Sequence, residues 1–111
     1  YHKIDVRNEE TIVNNFKKTN LKFDVIIDDS THIFEDQIKI IKNCNQFLEK
    51  NGILIIEDIY KTRKGYSEAN YYDALKSIKN IFNDIIFVET KHINNYSANY
   101  KFEKILILIK K

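Results

Sequence analysis

Two stretches decide the fold: Phe23-Asp24-Val25-Ile26-Ile27-Asp28-Asp29 and Ile53-Leu54-Ile55-Ile56-Glu57-Asp58. Each is an apolar run closed by a pair of acids. Continuous apolar runs of this length suit strands buried on both faces, as in parallel sheets. Between them, residues 34–49 carry Phe34, Ile38, Ile41, Phe47 and Leu48 on one helical face, with Lys39, Lys42, Glu49 and Lys50 mostly outside it. Asn51-Gly52 is a stop signal for that helix. Strand, helix, strand in this order is a parallel crossover.

Working outward, Lys3-Ile4-Asp5-Val6 reads as a short strand. Asn8 caps a helix over residues 8–19, with Glu9 and Glu10 in its first turn, where acids suit the helix dipole. After the second strand, residues 61–67 are polar and include Gly65, so they read as a loop. Residues 68–82 place Tyr71, Tyr72, Leu75, Ile78 and Phe82 as a buried helical stripe. Residues 84–90 form a strand, 92–99 a polar connection and 102–109 a last strand. The last two strands lack an intervening helix and pair antiparallel. The fold class is therefore α/β: a Rossmann-like, doubly wound, mainly parallel sheet with a reversed last strand, in a single domain over residues 1–111.

Composition narrows the function classes. The chain has 111 residues, 43% of them apolar, which is enough for a core. A net charge of +2 gives no electrostatic case for nucleic acid. One cysteine, Cys44, excludes an internal disulfide. With two glycines and no proline, no glycine-rich phosphate loop is present. No apolar run approaches the roughly 18 residues of a membrane span. No charged-then-apolar signal segment opens the chain, so the reading is a cytoplasmic protein without a membrane partner.

Ligands of open α/β sheets bind outside the carboxyl ends of the strands. Here two successive strands end in Asp28-Asp29 and Glu57-Asp58. If the strands are neighbours, their tips lie roughly 5 Å apart, and crowded carboxylates call for a cation or a bound proton. Asp29, Glu57 and Asp58 are hard oxygen donors, suited to Mg²⁺ more than to zinc. His32 follows three residues after Asp29 and places an imidazole, with an ordinary pKa of about 6.5, beside that rim. Singly, each acid is commonly a cap or a solvated turn residue, and a lone histidine is commonly structural; together they point to a site. Cys44 reads as a small buried hydrophobe, and Lys61, Arg63 and Lys64 as solvated surface.

At these residues a resemblance appears. Phe23-Asp-Val-Ile-Ile-Asp-Asp-Ser-Thr-His32 followed by Phe47-Leu-Glu-Lys-Asn-Gly-Ile-Leu-Ile-Ile-Glu-Asp58 resembles class I S-adenosylmethionine-dependent methyltransferases. It is most similar to metal-dependent sugar O-methyltransferases of the macrolide and rhamnosyl-tetracenomycin type. The resemblance runs through residues 2–59 and more loosely to 111. It implies Asp29, Glu57 and Asp58 as Mg²⁺ ligands, His32 as general base, and Asp5 and Asp28 as contacts to S-adenosylmethionine. It implies an acceptor hydroxyl on a sugar or glycosylated metabolite. Ser30 stands where the family usually has glycine, and Asn51-Gly52 where it has Gly-Gly. The family's first strand, glycine-rich cofactor loop and ribose-holding acid have no counterpart here. The expectation is thus the C-terminal portion of a methyltransferase domain, inactive alone, with an open edge on strand 23–29. The alternatives are a non-catalytic module associating through that edge, homo-oligomers included, or a phosphate-handling ATPase-like domain.

Overall fold

The computed structural model describes residues 2–89 and 104–111. Helix α1 (Glu9–Thr19) leads to strand β1 (Phe23–Asp28), helix α2 (Phe34–Cys44), strand β2 (Leu48–Ile59), helix α3 (Glu68–Ala74), strand β3 (Phe82–Glu89) and strand β4 (Lys104–Lys110). The four strands form one sheet in the order β1-β2-β4-β3. β1 and β2 are parallel, and β4 runs antiparallel to both of its neighbours. This is the α/β, mainly parallel sheet with a reversed last strand that the apolar patterning implies. Among the described residues β1 lies at the edge of the sheet, paired on one side only.

Local chemistry sets the boundaries. Asn8 caps α1 by accepting from the amides of Glu10 and Thr11, and Asn20 ends it in the left-handed region at φ 54°. α2 ends at Cys44 rather than running to 49; a 3₁₀ turn at Asn45–Phe47 leads straight into β2. Phe23 pairs with Leu48 and Val25 with Ile53, so residues 49–52 loop out of the ladder. Gly52 is required there, because a Cβ would sit 2.9 Å from the Glu49 carbonyl oxygen and 3.1 Å from that of Phe23. α3 also stops early, at Ala74. The stripe still works, as Tyr71, Leu75 and Phe82 are all buried, while Tyr72 is 46% exposed.

Lys3–Val6 forms no strand, which corrects the reading of that segment. Among the described residues no strand pairs with it, and the Asp5 carbonyl instead closes a turn with the Asn8 amide at 3.0 Å. The connection expected over 92–99 lies outside the described residues.

Cross-strand register assigns each side chain to a face. Ile26 and Asp28, Leu54 and Ile56, and Leu106 and Leu108 share rows and are buried. The core cluster joins this face to Ile12, Ile38, Ile41, Cys44, Tyr71 and Leu75 from the helices. The opposite face carries Val25 and Ile27, Ile53 and Ile55, Ile105, Ile107 and Ile109, and Ile86 and Val88. There Val25 is 49% and Ile27 56% exposed. Burial of the core face follows the usual gain from removing apolar surface from water; the other face forgoes it.

Candidate functional site

Parallel pairing brings the carboxyl ends of β1 and β2 together, with Asp28 opposite Ile56. Beyond Asp28 the chain turns sharply, and His32 takes φ 56°. At the end of β2 the ladder shifts between Ile56 and Ile59, and Asp58 takes φ 52°. Left-handed backbone is uncommon in residues other than glycine and concentrates at functional sites. These two turns bring their side chains face to face. His32 Nε2 lies 3.1 Å from Asp29 Oδ1 and 3.5 Å from Asp58 Oδ2. One ligand atom from each of Asp29, His32 and Asp58 falls within 4.8 Å of the others. Two carboxylate oxygens and an imidazole nitrogen form a donor set that suits a divalent cation.

Glu57 stands apart from this trio. Strand alternation puts it on the face opposite buried Ile56, and its contribution among the described residues is its backbone carbonyl, which accepts from Gln37 Nε2 at 3.3 Å. Gln37 is fully buried, and its Oε1 accepts the Tyr71 hydroxyl at 2.5 Å. The end of β2 is thus tied through α2 to α3.

The loop carrying His32 is held from two sides. Thr31 Oγ1 donates to Asp36 Oδ2 at 2.8 Å. The Tyr66 hydroxyl donates to the His32 carbonyl at 3.2 Å and accepts the Phe34 amide at 3.1 Å. Gln37, Tyr71 and Tyr66 are the supports that patterning along the chain missed. Nothing in the local sequence marks a tyrosine more than thirty positions away as the residue that pins a loop.

Asp28 is buried, and burial pushes its carboxyl above the usual range, partly offset by a Ser30 hydrogen bond. It faces a small apolar cavity of about 130 Å³ with Val6, Ile40 and Cys44. The Cys44 thiol is likewise pushed up by burial, to about 12. Asp5 is exposed. Its hydrogen bonds from Arg7 hold its carboxyl below the usual range, and the ion pair measures 2.9 Å. Asp5 lines a separate cavity of about 500 Å³ with Arg7, Ser30 and Thr31.

No protein-family model and no curated protein matches the sequence. Among solved structures the chain is similar to a protein from Clostridium thermocellum described as an rRNA-methylase. The identity is 17% over 97% of this chain and 73% of that chain, with a TM-score of 0.45. It is also similar to M1.HpyAVI, at 22% identity over all of this chain and 56% of that chain, TM-score 0.48. The M1.HpyAVI–SAM complex aligns at 21% identity over 100% and 52%, TM-score 0.44. The chain spans about half the length of the M1.HpyAVI chains. The likeness is one of α/β architecture. It corrects one expectation, that of a sugar or glycoside acceptor with no nucleic-acid partner: of these three, the description that names a substrate names rRNA, and none names a sugar. No helix among the described residues is long and apolar enough to cross a membrane.

Proposed function

We propose that the chain is the C-terminal portion of an S-adenosylmethionine-dependent methyltransferase domain. In this reading Asp29 and Asp58 hold a Mg²⁺ ion and His32 is the general base toward an acceptor hydroxyl. The observation that carries it is the meeting of Asp29, His32 and Asp58 at the carboxyl ends of two parallel strands. This is where open α/β sheets place ligands.

The chain's own groups divide the work. His32 takes the proton of the hydroxyl, and the carboxylates of Asp29 and Asp58, 3.1 and 3.5 Å from its Nε2, stabilise the imidazolium that results. Tyr66 and the left-handed turn fix the ring's position, so little reorganisation is left for the reaction itself. Mg²⁺, when bound, lowers the pKa of the hydroxyl. S-adenosylmethionine supplies the methyl group, and Asp5 and Asp28, each lining a cavity that Ile4 and Val6 also border, are the residues assigned to contact it. Glu57 stays a candidate outer ligand, reached through the same strand end.

The test is methyl transfer from labelled S-adenosylmethionine to hydroxyl-bearing acceptors by the protein that carries this chain. Expected are Mg²⁺ dependence and a drop of about 10²-fold or more in His32→Ala, in line with loss of a general base. Wild-type turnover in both His32→Ala and Asp29→Asn removes these residues from the mechanism.

A further inference from the structure

The loop between β2 and α3 carries a second cluster that the acidic rim does not use. Arg63 lies over two rings at once: its guanidinium carbon is 4.9 Å from the Tyr60 centroid and 5.3 Å from that of Tyr66. The rings meet edge to face at 5.0 Å. Cation–π contacts of this kind hold a guanidinium in place without using up its N–H donors. Lys64 follows, also exposed. Among the described residues, neither Arg63 nor Lys64 has an acid within ion-pair range, whereas neighbouring Lys61 pairs with Glu89 at 3.8 Å. Behind Tyr66, the buried Lys104 ammonium donates to the Tyr66 carbonyl at 3.4 Å and adds further positive charge. Phe34, Arg63, Lys64, Tyr66 and Asn70 line a cleft of about 460 Å³, with Glu35 as its acid.

This cleft adjoins the proposed site directly. The Tyr66 hydroxyl that carries Arg63 on its ring is the same hydroxyl that binds the carbonyl of His32. A guanidinium and an ammonium with no acid in ion-pair range among the described residues are a donor pair for a tetrahedral anion. We propose that Arg63 and Lys64 form a phosphate subsite, so that the acceptor reaching His32 carries a phosphate group. This rests on the reading of the His32 site as the place of reaction. Glu35, on the same cleft, disfavours a second negative group beside the first. The phosphate could belong to a free nucleotide or to one unit of a single strand, and the probes separate the two.

The binding experiment uses the full chain, in EDTA and without cofactor. Inorganic phosphate, a nucleoside, its 5′-monophosphate and a single-stranded oligoribonucleotide are each titrated. The monophosphate is expected to bind about tenfold or more tighter than the nucleoside, and Arg63→Gln with Lys64→Gln to abolish that difference. Lys76→Gln, an exposed lysine outside the cleft lining, is expected to leave it intact. A strand as the source shows as tighter binding of the oligomer, whose log affinity falls with log salt by about 0.7 per phosphate contacted. A free nucleotide shows as equal binding of monophosphate and oligomer. Equal affinity for nucleoside and monophosphate, or a double variant that binds like wild type, overturns the proposal. S-adenosylmethionine binding by the same variants is read separately; its absence in the wild type counts against the methyltransferase reading alone.

Discussion

The imidazole of His32, on the loop after β1, lies 3.5 Å from a carboxylate oxygen of Asp58, at the end of β2. Both residues sit on left-handed backbone, and neither takes part in the regular ladder. Strain of this kind persists only where the surroundings enforce it. Here the enforcement comes from the Tyr66 hydroxyl on one side and the Gln37 amide on the other.

If Asp29 and Asp58 hold a divalent cation beside His32, removing one carboxylate should weaken it sharply. Asp58→Asn is expected to lower Mg²⁺ or Mn²⁺ affinity by at least the roughly tenfold that follows loss of even an outer-shell partner. Calorimetric titration of the metal into wild type and variant reads this directly. Equal affinities would dissolve the site.

The Tyr71 hydroxyl and Gln37 form a buried pair that nothing else satisfies among the described contacts of Gln37 Oε1. Tyr71→Phe keeps the ring and its packing on Phe34 and Phe87 but leaves a buried acceptor without its donor. The expected cost is about 1–3 kcal/mol in urea unfolding. A change within error would mean that water replaces the hydroxyl.

Asp28 gives a pH dependence with a definite sign. Its folded carboxyl titrates above the ordinary value of 3.8 because burial disfavours the charge. The folded chain therefore holds this proton more tightly than the unfolded chain. The resulting stability is fully present below 3.8 and is lost as pH rises through the folded value. Asp28→Asn should remove that slope and raise the melting temperature at neutral pH. If Asp28 contacts the cofactor as assigned, the same variant should bind S-adenosylmethionine less well. A variant less stable than wild type at pH 7 contradicts the account of burial.

The uncovered sheet face makes a prediction about association. Val25, Ile27, Ile86 and Val88 are exposed on one plane together with half-buried isoleucines of β2 and β4. An apolar patch of this extent marks an interaction surface or an aggregation liability. The chain by itself should self-associate with rising concentration and bind a hydrophobic dye. Val25→Lys with Ile27→Lys should reduce both while shifting stability by no more than about 1 kcal/mol, since these positions contribute little burial. Sedimentation analysis decides it: a wild type that stays monomeric across the accessible concentration range refutes the prediction.

Much of the fold was legible along the chain. The apolar runs over 25–27 and 53–56 are rich in β-branched residues and form the strands, and Asn8 begins α1 because its side chain can bond free amides. Helix ends were less legible. The periodicity of residues 34–49 continues past Cys44, yet Leu48 is drawn into pairing with Phe23. Lys3–Val6 has the composition of a strand and is not one, since a strand needs a neighbour as well as a pattern. Within the site, the acids and His32 stand out as residue types at strand ends, but their grouping does not.

What the sequence alone determined is the alternation of strands and helices and the placing of Asp29, His32 and Asp58 close after apolar runs. Those follow from local periodicity and side-chain chemistry, which act over a few residues. Only the tertiary structure decided that Asp58 joins His32 and Asp29 while Glu57 turns away, and that Tyr66 holds the loop. Glu57 follows the regular alternation of β2, whereas the ladder shift between Ile56 and Ile59 and the left-handed backbone at Asp58 turn that carboxylate toward His32, and long-range packing sets that irregularity.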